Sequence, residues 1–130
     1  MSHELLQPPN WARPRGYSNG IAAEGRQIFI SGQIGWNSEQ KFAGDDLAAQ
    51  VRQALANIVE VLACAGAKPE HLVRLTWYVT SREAYYASIE GIGTAYREVI
   101  GRHFPAMSVV VVAGLLEPRA KVEIEATAVL

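Results

Sequence analysis

The strongest constraint on this chain is its last stretch, Phe104 to Leu130, where two apolar patterns of different meaning follow one another. From Val109 to Ala113 the run is continuously apolar, and from Lys121 to Leu130 apolar and polar residues alternate, with Gly114, Glu117 and Pro118 marking a turn between them. A continuous apolar run of strand length implies burial on both faces, and strict alternation implies burial on one. The pattern therefore predicts two paired strands, the first central and the second half-exposed. In the second, Val122, Ile124, Ala126 and Ala128 face one way and Lys121, Glu123, Glu125 and Thr127 the other, so two carboxylates share a face.

The rest of the chain supplies partners for such a sheet. Residues 1–16, with Pro8, Pro9 and Pro14, read as an extended arm without a regular element, and Trp11 as a surface-packing aromatic. Tyr17 to Ala23 and Arg26 to Gly32 read as a hairpin around Glu24-Gly25, closed by Ser31-Gly32-Gln33. A glycine at a strand end admits either a simple turn or a close approach of ligand to backbone, and position alone leaves both open for Gly32. Asp45-Asp46 opens a helix in which Leu47, Val51, Leu55, Ile58, Val59 and Leu62 recur at helical spacing. It ends at Gly66 before Pro69, and Gln50, Gln53, Asn57 and Glu60 fall on its polar side. Leu72 to Thr80 alternates as a strand. A second helix is expected from Glu83 to Ile100, where Gly91 and Gly93 suggest close packing against another element.

The expected order is β-β-α-β-α-β-β, an α+β domain over residues 1–130 with a mixed sheet and two helices on one face. The apolar Val109–Ala113 run asks for cover on the other face as well, which predicts association with further copies of the chain.

Composition excludes several classes. No apolar run approaches the roughly 20 residues that span a bilayer, and Met1-Ser2-His3-Glu4 lacks the pattern of a signal peptide, so a cytoplasmic setting is expected. A formal charge of −1 with scattered basic residues gives nucleic acid little to bind. Cys64 is the single cysteine and reads as a small packing residue. His3, His71 and His103 lack metal-ligand spacing, so no metal is expected.

Taken in order, Tyr17-Ser18, Ile30-Ser31-Gly32-Gln33-Ile34, the Gln53…Asn57 helix, Val73-Arg74-Leu75-Thr76-Trp77-Tyr78-Val79-Thr80, Phe104-Pro105-Ala106-Met107-Ser108 and Val122-Glu123-Ile124-Glu125-Ala126 resemble the Rid family, also called the YjgF or L-PSP family. The resemblance spans Tyr17 to Ala128. It implies a chorismate-mutase-like fold, a homotrimer with a small-molecule ligand in clefts between subunits, and hydrolysis of 2-imino or enamine acids to 2-oxo acids and ammonia without metal or organic cofactor. Carried over by position, Glu123 would orient water, Gly32 and Val109 would offer backbone groups, and Tyr17 would close the cleft.

One position departs from the family pattern. Met107 stands where the best-studied deaminases have the arginine that would hold the substrate carboxylate by its two-pronged guanidinium, and Val109 stands where many members have cysteine. Loss of such a counter-charge typically costs about 3–5 kcal/mol. The resemblance thus leaves three readings: a hydrolase for an imine or enamine other than a standard 2-imino acid, a trimeric ligand-binding or interaction module, and an endoribonuclease. Arg15, Arg74 and Arg119 are the candidate replacement cations.

Overall fold

A four-stranded mixed sheet in the order β3-β6-β4-β5 forms the body of the computed structural model, which describes residues 3–130. Its strands are β3 (Gln27–Ile34), β4 (Leu72–Val79), β5 (Ala106–Val111) and β6 (Val122–Val129). A separate two-stranded piece pairs β1 (Glu4–Leu6) with β2 (Gly20–Ala22). The helices are α1 (Leu47–Cys64), α2 (Arg82–Ala87) and α3 (Ile89–Val99). The α+β class and the mixed sheet are as the pattern implied.

Helix α1 begins where the sequence places it because the Asp46 carboxylate accepts a hydrogen bond of 2.9 Å from the Ala49 amide, a cap worth about 1 kcal/mol. It ends before Gly66, whose φ of 73° is left-handed and suits glycine. Its apolar stripe, Val51, Leu55, Ile58 and Leu62, is fully buried, in one core with Leu72 and Leu75 of β4 and Val122 and Ile124 of β6. Removing a side chain such as Leu55 from this layer would cost about 2–5 kcal/mol. Helix α3 lies against α1. A Cβ on Gly91, in the first turn of α3, would stand 3.0 Å from the Ala48 Cβ, which gives this glycine the packing role expected of it.

Several expectations are corrected. The C-terminal strands do not pair with each other: β5 lies at the sheet edge, parallel to β4, and β6 is interior, antiparallel to both β3 and β4. The continuous apolar run is accordingly exposed, with Val109, Val110 and Val111 at 39%, 42% and 50%, while the alternating strand carries the core. Continuity of apolar residues records a need for cover, and this chain alone does not supply it.

The expected hairpin is also absent, because β2 pairs with β1 whereas β3 pairs with β6. The arm therefore contains a strand after all, placed ahead of its prolines. The second helix is divided at Ser88, which closes α2 and opens α3. Finally, Gln50 is buried instead of lying on a polar face, and Cys64 is exposed instead of packed. Gln50 carries its own hydrogen-bond partners inward, donating to the Gly44 and Arg119 carbonyls at 3.1 and 3.2 Å and accepting from the Lys121 amide at 2.9 Å.

Candidate functional site

The residues singled out by the sequence fall into two groups on opposite faces of the sheet. The first is Gly32 with Glu123. Strand β3 changes register against β6 between Ile30 and Gln33, so Ser31 and Gly32 form a bulge and β3 continues beyond them to Ile34. Bulges of this kind redirect backbone and side chains at the point where they occur. Here the bulge brings Gly32 against the half-buried Glu123 side chain, and a Cβ on Gly32 would lie 2.6 Å from Glu123 Cδ and 2.7 Å from its Cγ. Only glycine leaves room for the carboxylate in that position.

Glu123 shares its face with Glu125, as the alternation implied. Tyr78 sits opposite Glu123 on β4 and donates a 2.7 Å hydrogen bond to Glu125 Oε1, and this bond, with the two nearby carboxylates, raises its phenol above the ordinary value of 10.0. Arg74 belongs to this face too, in a depression of about 490 Å³ with Phe29, Ser31 and Glu125.

The second group is Met107 with Val109. Their partners in register on β4 are Leu75 and Trp77, which are buried beneath the helices, so Met107 and Val109 face the helical side. They line a cavity of about 430 Å³ between β5 and α3, floored by aromatic rings. Phe104 stacks on Tyr96 with centroids 5.4 Å apart, and Tyr96 stacks on Trp77 at 6.5 Å. The Tyr96 hydroxyl donates to the His103 carbonyl at 2.6 Å, and burial drives its phenol far above 10.0. Tyr17 stands beside this cavity, in a neighbouring depression that shares Phe104 with it. It is anchored there by Ser18, whose hydroxyl donates to the Phe104 carbonyl at 2.5 Å and whose amide donates to the Pro105 carbonyl at 3.1 Å.

Gly32 and Glu123 are thus brought together, and so are Met107 and Val109 with Tyr17 at their edge. The two groups do not meet within one chain. Strand β4 lies between β6 and β5, so about two strand spacings of roughly 4.8 Å and the thickness of the sheet separate them.

Of the candidate cations, Arg119 is engaged elsewhere, 3.3 Å from Asp45 and 5.1 Å above the Phe42 ring. Arg15 lines the Met107 cavity, and so does Arg97, which the sequence did not single out because a lone arginine on a helix ordinarily belongs to a solvated face. The histidines serve the fold: His103 Nε2 donates to the Leu72 carbonyl at 2.7 Å, and His3 Nε2 lies 3.3 Å from the His71 carbonyl.

A mixed sheet in this order, with helices over one face and the other face bare, defines an α+β domain of the chorismate-mutase-like, YjgF type. Residues 11–130 match the model of the family described as Endoribonuclease L-PSP, and the chain belongs to that family, the Rid family of the sequence resemblance. It is 36% identical over 105 residues to the 2-iminobutanoate/2-iminopropanoate deaminase of Escherichia coli K12, covering 81% of this chain and 80% of that protein. It is 30% identical over 114 residues to the human protein of the same name, covering 87% and 79%. Among solved structures it is similar to the Rid family protein YyfB of Yersinia pestis, described as of unknown function, with a TM-score of 0.86, 36% identity and full coverage of both chains. The YjgF gene product of E. coli matches with a TM-score of 0.69, 34% identity and 87% coverage of each chain.

Proposed function

We propose that this chain is a cofactor-independent hydrolytic deaminase of an imine or enamine, distinct in substrate from the deaminases of small 2-imino acids. Water adds to the carbon of the C=N bond, and the resulting carbinolamine collapses with the proton passing to nitrogen, leaving a carbonyl compound and ammonia. Glu123 orients the attacking water. Gly32 and Val109 offer main-chain groups to the substrate, Met107 lines its apolar side, and Tyr17 covers it. The observation that carries this reading is the Gly32–Glu123 juxtaposition, in which a bulge in the strand brings one carboxylate against the glycine backbone. The names of the relatives support the reaction class.

Because the two groups of residues lie on opposite faces, the complete site on this reading lies between copies of the chain, Glu123 and Gly32 from one meeting Met107, Val109 and Tyr17 from another. The uncovered edge Val109–Val111 supports a trimer assembled in this way. The test is ammonia release from imines generated in solution: Glu123→Gln should lower turnover about a hundredfold or more where wild type is active. Unchanged turnover would remove Glu123 from its role. A second reading, a ligand-binding module of the same fold, is favoured by Met107, which leaves a substrate carboxylate at position 107 without its cation. Ligand binding without turnover by wild type on every imine would decide for it.

A further inference from the structure

The Met107 cavity has a charge distribution of its own. Its walls are apolar and aromatic, with Trp77, Tyr85, Ile89, Phe104, Met107 and Val109 among them, and its two charged lining residues are both cationic, Arg15 from the N-terminal arm and Arg97 from α3. Neither arginine is ion-paired among the described residues. Arg97 is held toward the cavity's flank by its own helix. Its Nη2 donates to Thr94 Oγ1 at 3.4 Å, and its Nη1 lies 3.4 Å from where a Cβ on Gly93 would stand, so the guanidinium rests over a glycine that itself lines the cavity. Trp77, 3% exposed, has an indole N–H without an acceptor among the described residues.

We infer that this cavity binds a carboxylate carrying a bulky aromatic group, the ring entering among the aromatic and thioether side chains and the carboxylate held at the rim by Arg97 and Arg15. Rings pack favourably against aromatic walls and methionine sulfur, and a guanidinium holds a carboxylate by two parallel hydrogen bonds. A volume of about 430 Å³ lies in the range of small-molecule sites. The anion-binding role is thereby moved from position 107 on β5 to α3 and the arm, and the space vacated at Met107 admits the larger group. This inference rests on the deaminase reading only for the statement that the bound molecule resembles the substrate.

The test is a titration with phenylacetate, acetate and phenylacetamide, followed by the ¹⁵N–¹H signal of the Trp77 indole, which is assigned by its absence in Trp77→Phe. Phenylacetate should shift that signal saturably, and both acetate and the amide should bind at least about tenfold more weakly, as expected for loss of the ring or of a charged hydrogen bond. Arg97→Gln and Arg15→Gln should each weaken phenylacetate about tenfold, with Arg97→Lys intermediate. Phenylacetamide binding as well as phenylacetate, or Arg97→Gln binding like wild type, would overturn the inference. A failed deaminase reading would show itself as absent ammonia release from every imine while this titration stayed intact.

Discussion

Gly32 and Glu123 occupy a space that admits only one side chain: a Cβ on Gly32 would lie 2.6 Å from Glu123 Cδ. The φ of Gly32 is not left-handed, so alanine there meets a steric obstacle and no backbone one. Gly32→Ala should therefore push the Glu123 carboxylate aside, lowering kcat/KM about ten- to a hundredfold while changing stability by less than about 1 kcal/mol. Parallel ammonia-release and thermal-unfolding measurements would check it. Full activity in Gly32→Ala would mean that the carboxylate's position is immaterial.

The valines of β5 give the second prediction. An exposed apolar edge strand invites pairing with another chain, and charge at the edge prevents it. Wild type should scatter light as a trimer, and Val110→Lys, at a position 42% exposed in one chain, should yield a smaller species with a preserved circular-dichroism spectrum. A monomeric wild type would remove the proposed shared site.

Gln50 ties three backbone groups of two loops to α1. Gln50→Leu should strip those groups of partners and cost about 2–3 kcal/mol, read as a lower urea midpoint with an unchanged slope. A loss within error would show that solvent replaces all three bonds.

Tyrosine ionisation sets the alkaline limit. Burial raises the phenols of Tyr96 and Tyr85 in the folded chain above the 10.0 of an unfolded one. The folded state therefore keeps protons that the unfolded state releases, so the contribution to stability is whole below pH 10.0 and is lost as the pH climbs from there toward the folded-state values. Urea midpoints should fall above pH 10.0, and less steeply in Tyr96→Phe. An equal slope in the two proteins would assign the alkaline loss to other groups.

What the sequence made legible was local periodicity. The alternation of Val122, Ile124, Ala126 and Ala128 against Glu123, Glu125 and Thr127 is the observed division of β6, and the stripe from Val51 to Leu62 is the buried face of α1. Within β4 the alternation holds from Leu75 to Val79, and the register shift between Leu72 and Arg74 leaves Leu72 buried and Val73 half-buried. Pairing was not legible, because periodicity does not say which strand neighbours which: β5 reaches β4 through a helical crossover and leaves β6 to its other side. The valine run misled for the same reason that makes it informative, since burial on both faces was inferred and the chain provides no cover for the edge. At the site, Gly32 and Glu123 were legible through the family pattern, whereas their contact depends on a bulge that no residue type announces. Arg97 was missed because only the cavity distinguishes it from any other helical arginine.

Ammonia release from in situ imines, carboxylated and uncarboxylated, with wild type, Glu123→Gln and Met107→Arg side by side, reads out the proposed reaction and the roles of both residues at once. On the deaminase reading, wild type turns over imines other than small 2-imino acids, Glu123→Gln loses this activity, and Met107→Arg gains activity on small 2-imino acids. No release by wild type from any imine, or release indifferent to Glu123, would contradict it.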